Sequence, residues 1–356
     1  MSEKGRTVRR MLLVLGLLAA GVLAAGGCWP IEESATIPTP PATATPPKVE
    51  QAGQQSPAIE GRLLYAREGH IWMRTGTTAR RLTEQSPATQ PAWSPDGREI
   101  VFVVKGDGYS DLWIMAADGS NAHPITNNRS SHPPHSWEAV HSSFWAAQPQ
   151  WIPPDGAWIS YLSHNTPQAS VSRIAIWILR PDGSEDQRYL TWGGNVENPA
   201  WSPDGRYVAF AAYPDYPNNT NPSLLYYDTD RNVILPLGAE TEGIQRYDPA
   251  WSPDGLWLAY AARQGGQTDV WVMPSPLNPL FAEDWAPVRL TTRGTARAPA
   301  WSPTGRQMVF IALENKSFDL WLLDLDYGES LPQPAGARKL TDGDRVDATA
   351  RPSWAP

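Results

Sequence analysis

Trp93-Ser94-Pro95-Asp96-Gly97 is spelled again at residues 201–205 and 251–255, and its recurrence decides the fold. Trp301-Ser302-Pro303-Thr304-Gly305 is a variant, Trp151-Ile152-Pro153-Pro154-Asp155-Gly156 a looser copy, and Ser353-Trp354-Ala355-Pro356 a last fragment. The tryptophans stand at 93, 151, 201, 251, 301 and 354, in steps of 58, 50, 50, 50 and 53. A period of that size is the mark of a repeat architecture.

Outward from each copy the grammar is constant. Ser, Pro and Gly suit the first, second and fourth places of a type I turn, and Asp satisfies backbone donors locally. Before the turn, Pro-Ala-Trp makes one short strand. After it come three more, as at residues 100–104, 111–115 and 124–126. Equivalent sets follow at 158–191, 207–237, 257–291 and 307–341, and residues 62–83 form a set with no anchor before it. No long stretch has helical periodicity, so the chain reads as all-β. A four-stranded antiparallel meander cannot bury both its faces alone, and copies packed around an axis can. The first set lacks an inner strand and residues 351–354 are an inner strand with nothing after it. The spacing therefore predicts a six-bladed β-propeller over residues 59–356, its first blade closed by the C-terminal strand, which removes the open edge.

The phrases Pro-Ala-Trp-Ser-Pro-Asp-Gly, Asp111-Leu-Trp-Ile-Met-Ala-Ala-Asp-Gly119 and the closing Leu-Thr resemble the repeats of TolB-type (WD40-like) propellers across the six copies. The resemblance implies the fold and an extracytoplasmic setting. Such repeats serve many unrelated functions, so it does not carry the activity. Family members with an α/β domain ahead of the propeller differ from this chain, which has other material there.

Residues 1–27 read as an export signal: Lys4, Arg6, Arg9 and Arg10, then an apolar run from 11 to 25, then small residues up to Cys28. The run is shorter than the roughly 20 residues of a spanning helix. Cys28 is the only cysteine, which excludes an internal disulfide. Its place after a small-residue stretch resembles a bacterial lipobox, although Ala25 stands where that pattern carries a large aliphatic residue. The expectation is lipidation of Cys28 and anchoring of the protein to the cell membrane, on the periplasmic side or the cell surface. Residues 28–58, rich in Pro and Thr, read as a semi-extended tether. The signal carries four basic residues and one acidic residue, so its removal lowers the net charge by three, from -8 to -11. Such an acidic surface argues against nucleic acid as a partner. The chain reads as a monomer.

The aspartates Asp96, Asp155, Asp204 and Asp254 are equivalent by repeat and spread around a ring, so they read as turn residues, not as an acid/base or calcium set. The in-phase members of the eighteen tryptophans read as core. In a meander the Ser-Pro-Asp-Gly turns share one face with the turns between strands three and four. The opposite face collects the loops between strands two and three and the connections between blades, where binding concentrates. The longest irregular segment there is 127–148, which explains the step of 58. The candidate ligand contacts on this face are Trp137, Phe144, Trp145, Trp192, Tyr216, Arg246 and Arg297. Three readings of the loop stand side by side: a binding loop for a peptide or glycan, a plain surface insertion, and a metal site from His132, His135 and His141. The Pro133-Pro134 pair makes the histidine segment read as extended.

No Gly-x-Ser-x-Gly elbow, phosphate-binding Gly loop or His-Glu-x-x-His is present. The function expected is non-enzymatic: a membrane-anchored propeller that needs no cofactor and binds an envelope protein, a peptide or a glycan on its loop-rich face. The alternative is a metal-assisted polysaccharide lyase or hydrolase built on the 127–148 loop with a divalent metal.

Overall fold

The structure, a computed structural model, describes residues 49–51, 57–84, 87–133, 135–164, 174–214, 221–238, 243–282, 286–327 and 331–356. Six antiparallel sheets follow one another along the chain, and in five of them four consecutive strands form a simple meander. The first blade takes Ser353–Ala355 as its inner strand, paired with residues 62–64 of Ile59–Arg67. The ring is thus a six-bladed propeller closed by its own C-terminus, as the repeat predicts.

Apolar side chains from facing sheets interdigitate to make the core. Between blades five and six, Val270, Val272 and Leu290 meet Met308, Phe310 and Leu323. Between the first and last blades, Leu63 and Tyr65 meet Val309, Ile311 and Leu320. Four anchor tryptophans, Trp93, Trp201, Trp251 and Trp301, join their blades to the one before. The indole N–H of Trp251 donates to the Ala200 carbonyl at 2.9 Å, that of Trp301 to Ala250 at 3.0 Å, and that of Trp93 to Arg62 at 3.1 Å.

The turn behaves as its residues dictate. In the fourth blade Gly205 N donates to the Ser202 carbonyl at 2.9 Å, and Ser202 Oγ donates to Asp204 Oδ1 at 2.5 Å. Gly205 has φ +73°, and a Cβ there would lie 2.2 Å from the Pro153 carbonyl oxygen of the preceding blade. Only glycine lets the turn approach so closely. Asp96 is held below the ordinary carboxylate range by the Ser94 hydroxyl and the Arg98 N–H. These contacts make the repeated aspartates structural.

The other half of the repeat, Asp-Leu-Trp and Leu-Thr, is a clasp on the loop-rich face. In blade five Thr291 Oγ1 donates to Asp269 Oδ1 at 2.7 Å and accepts from Val270 N at 3.0 Å. Thr341 does the same with Asp319 and Leu320 in blade six. The clasp pins the start of strand three to the end of strand four, and so fixes where the chain leaves for the next blade.

Two elements depart from the sequence reading. Val49–Gln51, within the expected tether, pairs with residues 78–80 and makes the first blade five-stranded. An outermost strand offers unpaired N–H and C=O groups, and an extended segment fills them whatever its composition. The histidine segment is also not wholly extended: Trp137–Ser142 is a helix. Ser136 caps it by accepting from Ala139 N at 3.0 Å, and Glu138 sits in its first turn. No helix among the described residues is long and apolar enough to cross a membrane.

Candidate functional site

The long loop between blades two and three is stapled at its base. Asp111 Oδ1 accepts from Thr126 Oγ1 at 2.9 Å and from Asn128 N at 2.7 Å. Asn128 Nδ2 donates to the Ser110 carbonyl at 2.7 Å, and its own carbonyl accepts from Phe144 N at 3.0 Å. Ser110 Oγ closes the far end by donating to the Ala146 carbonyl at 2.7 Å. The clasp found in other blades has here been extended to hold an insertion. Burial pushes the Asp111 carboxyl up, against the pull of the Asn128 N–H and the Thr126 hydroxyl.

The staple projects the helix outward. Trp137, at its first position, is 71% exposed, far more than any other large apolar side chain among the described residues. Trp145, at the loop's end, turns inward. Its ring meets His164 edge-on at 4.7 Å, and its indole N–H donates to His164 Nε2. The His164 ring proton must then sit on Nδ1. Burial lowers the pKa of this histidine. Trp145 and Trp192 pack on one hydrophobic cluster formed by Leu162, Ile176, Trp201 and Phe210. The indole N–H of Trp192 is buried without a hydrogen-bond partner among the described residues.

Of the residues singled out from sequence, Trp145 and Trp192 are therefore brought together, with Phe144 at the foot of the loop and Trp137 at its crest. Arg246 and Arg297 lie elsewhere, on the inner strands of blades five and six. Arg246 interacts with the Tyr260 hydroxyl, which burial pushes up to about 12 against the pull of that arginine. Arg297 Nε is 3.1 Å from Oδ2 of the fully buried Asp248. Tyr216 and Cys28 lie outside the described residues.

The histidines do not gather. His132 is exposed, with its N–H on Ser130 Oγ at 3.1 Å. His135 Nε2 lies 3.1 Å from Asp107 Oδ2. The side chain of His141 lies outside the described residues. Among the described side chains no group of three His, Cys, Asp or Glu is placed to hold a metal ion.

A second constellation rings the axis, and the sequence reading missed it. Three residues before five of the six anchor tryptophans the inner strand bulges. Gln90, Gln148, Asn198, Asp248 and Ala298 all have φ between 51° and 53°, and each precedes a proline. A non-glycine residue in this region costs about 1 kcal/mol. Hydrogen bonds between blades offset it. Gln148 N donates to Gln90 Oε1 at 2.7 Å, Asn198 N to Gln148 Oε1 at 2.6 Å, and Ala298 N to Asp248 Oδ2 at 3.1 Å. The signal was available in the sequence: a polar residue precedes Pro-x-Trp in five of the six copies, with Ala298 the exception.

Fold and site together define a rigid propeller scaffold with one elaborated face. The chain belongs to the TolB beta propeller domain family, whose model matches residues 139–356. Among curated proteins it is 28% identical over 162 residues to an uncharacterised protein of Agrobacterium fabrum, covering 44% of this chain and 48% of that one. It is 43% identical over 49 residues to the Tol-Pal system protein TolB of Anaeromyxobacter dehalogenans, covering 14% of this chain and 11% of that one. The chain thus spans about half the length of the first relative and about a tenth of the second. Among solved structures, TolB from Acinetobacter baumannii superposes with a TM-score of 0.61 at 17% identity, covering 83% of this chain and 67% of that one. A putative TolB from Agrobacterium tumefaciens gives 0.57 at 19%, covering 82% and 91%. At these identities the two structures speak for the fold alone.

Proposed function

We propose that this protein is a non-enzymatic, extracytoplasmic propeller, held at the membrane by a lipid on Cys28, that binds a partner on its loop-rich face. The observation that carries the reading is the stapled 127–146 loop, which holds Trp137 out at 71% exposure while Trp145 turns inward to the half-buried His164. A large indole kept in water by a pinned base is poised to bury its surface on a partner, and tryptophan is enriched among the residues that dominate binding energy. Of the remaining sequence candidates, Phe144 at the foot of the loop and Trp192 on the cluster beneath Trp145 supply the surround. A protein or peptide partner is favoured over a glycan because one relative is named a component of the Tol-Pal system.

Two variants test the reading in cells. Cys28→Ser should move the protein from the membrane fraction to the soluble extracytoplasmic fraction. Trp137→Ser should reduce in-cell crosslinking to the main partner at least tenfold, with stability changed by no more than about 0.5 kcal/mol because the side chain is exposed. Unchanged crosslinking of the Trp137 variant would remove the assigned face. A glycan recovered with the wild type in place of a protein would correct the partner class.

A further inference from the structure

On the opposite side of the ring, the six inner strands enclose a cavity of about 530 Å³. Its rim is set by prolines of the anchor turns, among them Pro95, Pro203, Pro253 and Pro303, and its walls carry the anchor tryptophans. Arg351 is the only charged side chain among its lining residues. At the rim, the carboxyl of Pro356 already accepts from Arg62 Nε at 3.0 Å.

Arg351 stands where the other copies of X-Pro-x-Trp carry Gln90, Gln148, Asn198, Asp248 and Ala298. It does not join their ring of bonds to the next blade. Its side chain crosses the axis, where Nη1 donates to the Pro249 carbonyl at 2.9 Å and Nη2 to the Pro199 carbonyl at 2.5 Å. No carboxylate touches it among the described residues. Asp248, the nearest acid by its electrostatic effect, is taken by Arg297 and the Ala298 N–H. Glu197 accepts from Tyr213 Oη at 3.0 Å. A guanidinium has five donors, and two carbonyls leave several free. Arg351 is half-buried and lines the cavity, so its remaining donors are open to a molecule that enters there.

We infer that the axial cavity is a binding site for a small organic carboxylate with an apolar body, whose carboxylate pairs with Arg351 while its body lies among the prolines and indoles. The volume is that of an ordinary small-ligand site. Arg351 is the one charged side chain that lines the cavity, and the C-terminal carboxyl at the rim is already met by Arg62, so Arg351 is the partner the cavity offers an anion. Arginine also presents the planar fork that carboxylates match. The site lies on the face away from the 127–146 loop and is independent of the reading above.

The test uses the purified full chain and two probes of one shape, N-acetylphenylalanine and N-acetylphenylalaninamide, which differ in the carboxylate. Tryptophan fluorescence titration and thermal shift should show the acid binding at least tenfold more tightly than the amide. Arg351→Met should reduce that ratio to about one. The wild-type comparison stands even if this variant fails to fold. Equal affinity of acid and amide for the wild type, no binding of either, or a preference that survives in Arg351→Met overturns the inference.

Discussion

At the scale of single residues, the same side chain type serves different ends according to its phase in the repeat. Of the tryptophans two residues before a turn proline, Trp93, Trp201, Trp251 and Trp301 hand their N–H to the preceding blade. Trp137, out of phase, is largely exposed. His164 makes a prediction possible here. Burial lowers its folded pKa below the unfolded value of about 6.5. The folded protein therefore binds fewer protons than the unfolded chain as pH falls, so stability drops. Its contribution is complete above about pH 6.5 and is lost as pH falls through the lowered folded pKa. His164→Gln keeps an acceptor for the Trp145 indole without titrating. The variant should show a shallower fall in Tm between pH 7.5 and 5.0, His70, also lowered by burial, supplying the rest. An unchanged slope would mean that the Trp145–His164 bond does not depend on the neutral imidazole.

At the scale of elements, the Asp–Thr clasp explains why a long insertion sits between blades two and three without loosening either. Asp111→Ala removes acceptors from Thr126 and Asn128 and should cost about 2 kcal/mol. Hydrogen exchange should rise at least tenfold across residues 127–146 and stay unchanged in blades five and six. A uniform rise around the ring would mean that the clasp supports the whole propeller and not the loop. The strands themselves were legible because alternating apolar residues and turn residues recur at one period. The helix Trp137–Ser142 was not, because six residues are too few to show a period and its capping serine stands next to a proline-rich stretch that reads as extended. Val49–Gln51 was also hidden, since its order comes from the open edge it meets and not from its own composition.

At the scale of the molecule, the count of blades and the closing strand were written in six tryptophans and two incomplete ends. The face that carries the long loop followed from counting turns. What the sequence concealed was the axis. The bulged residues bond residues about 50 positions away, Gln90 also reaches Thr349, and Arg351 reaches carbonyls 102 and 152 positions distant. No local pattern announces contacts of that range. The ring so assembled has two unlike faces: one holds the stapled loop with Trp137, the other the proline-rimmed cavity. The central functional claim is that a partner engages the first of them. A photo-crosslinking residue placed at Trp137, and in a second strain at the exposed Asp204 on the turn face, tests it most directly in intact cells. The account predicts one dominant adduct from position 137 and none from position 204; an adduct from 204 with none from 137 would contradict it.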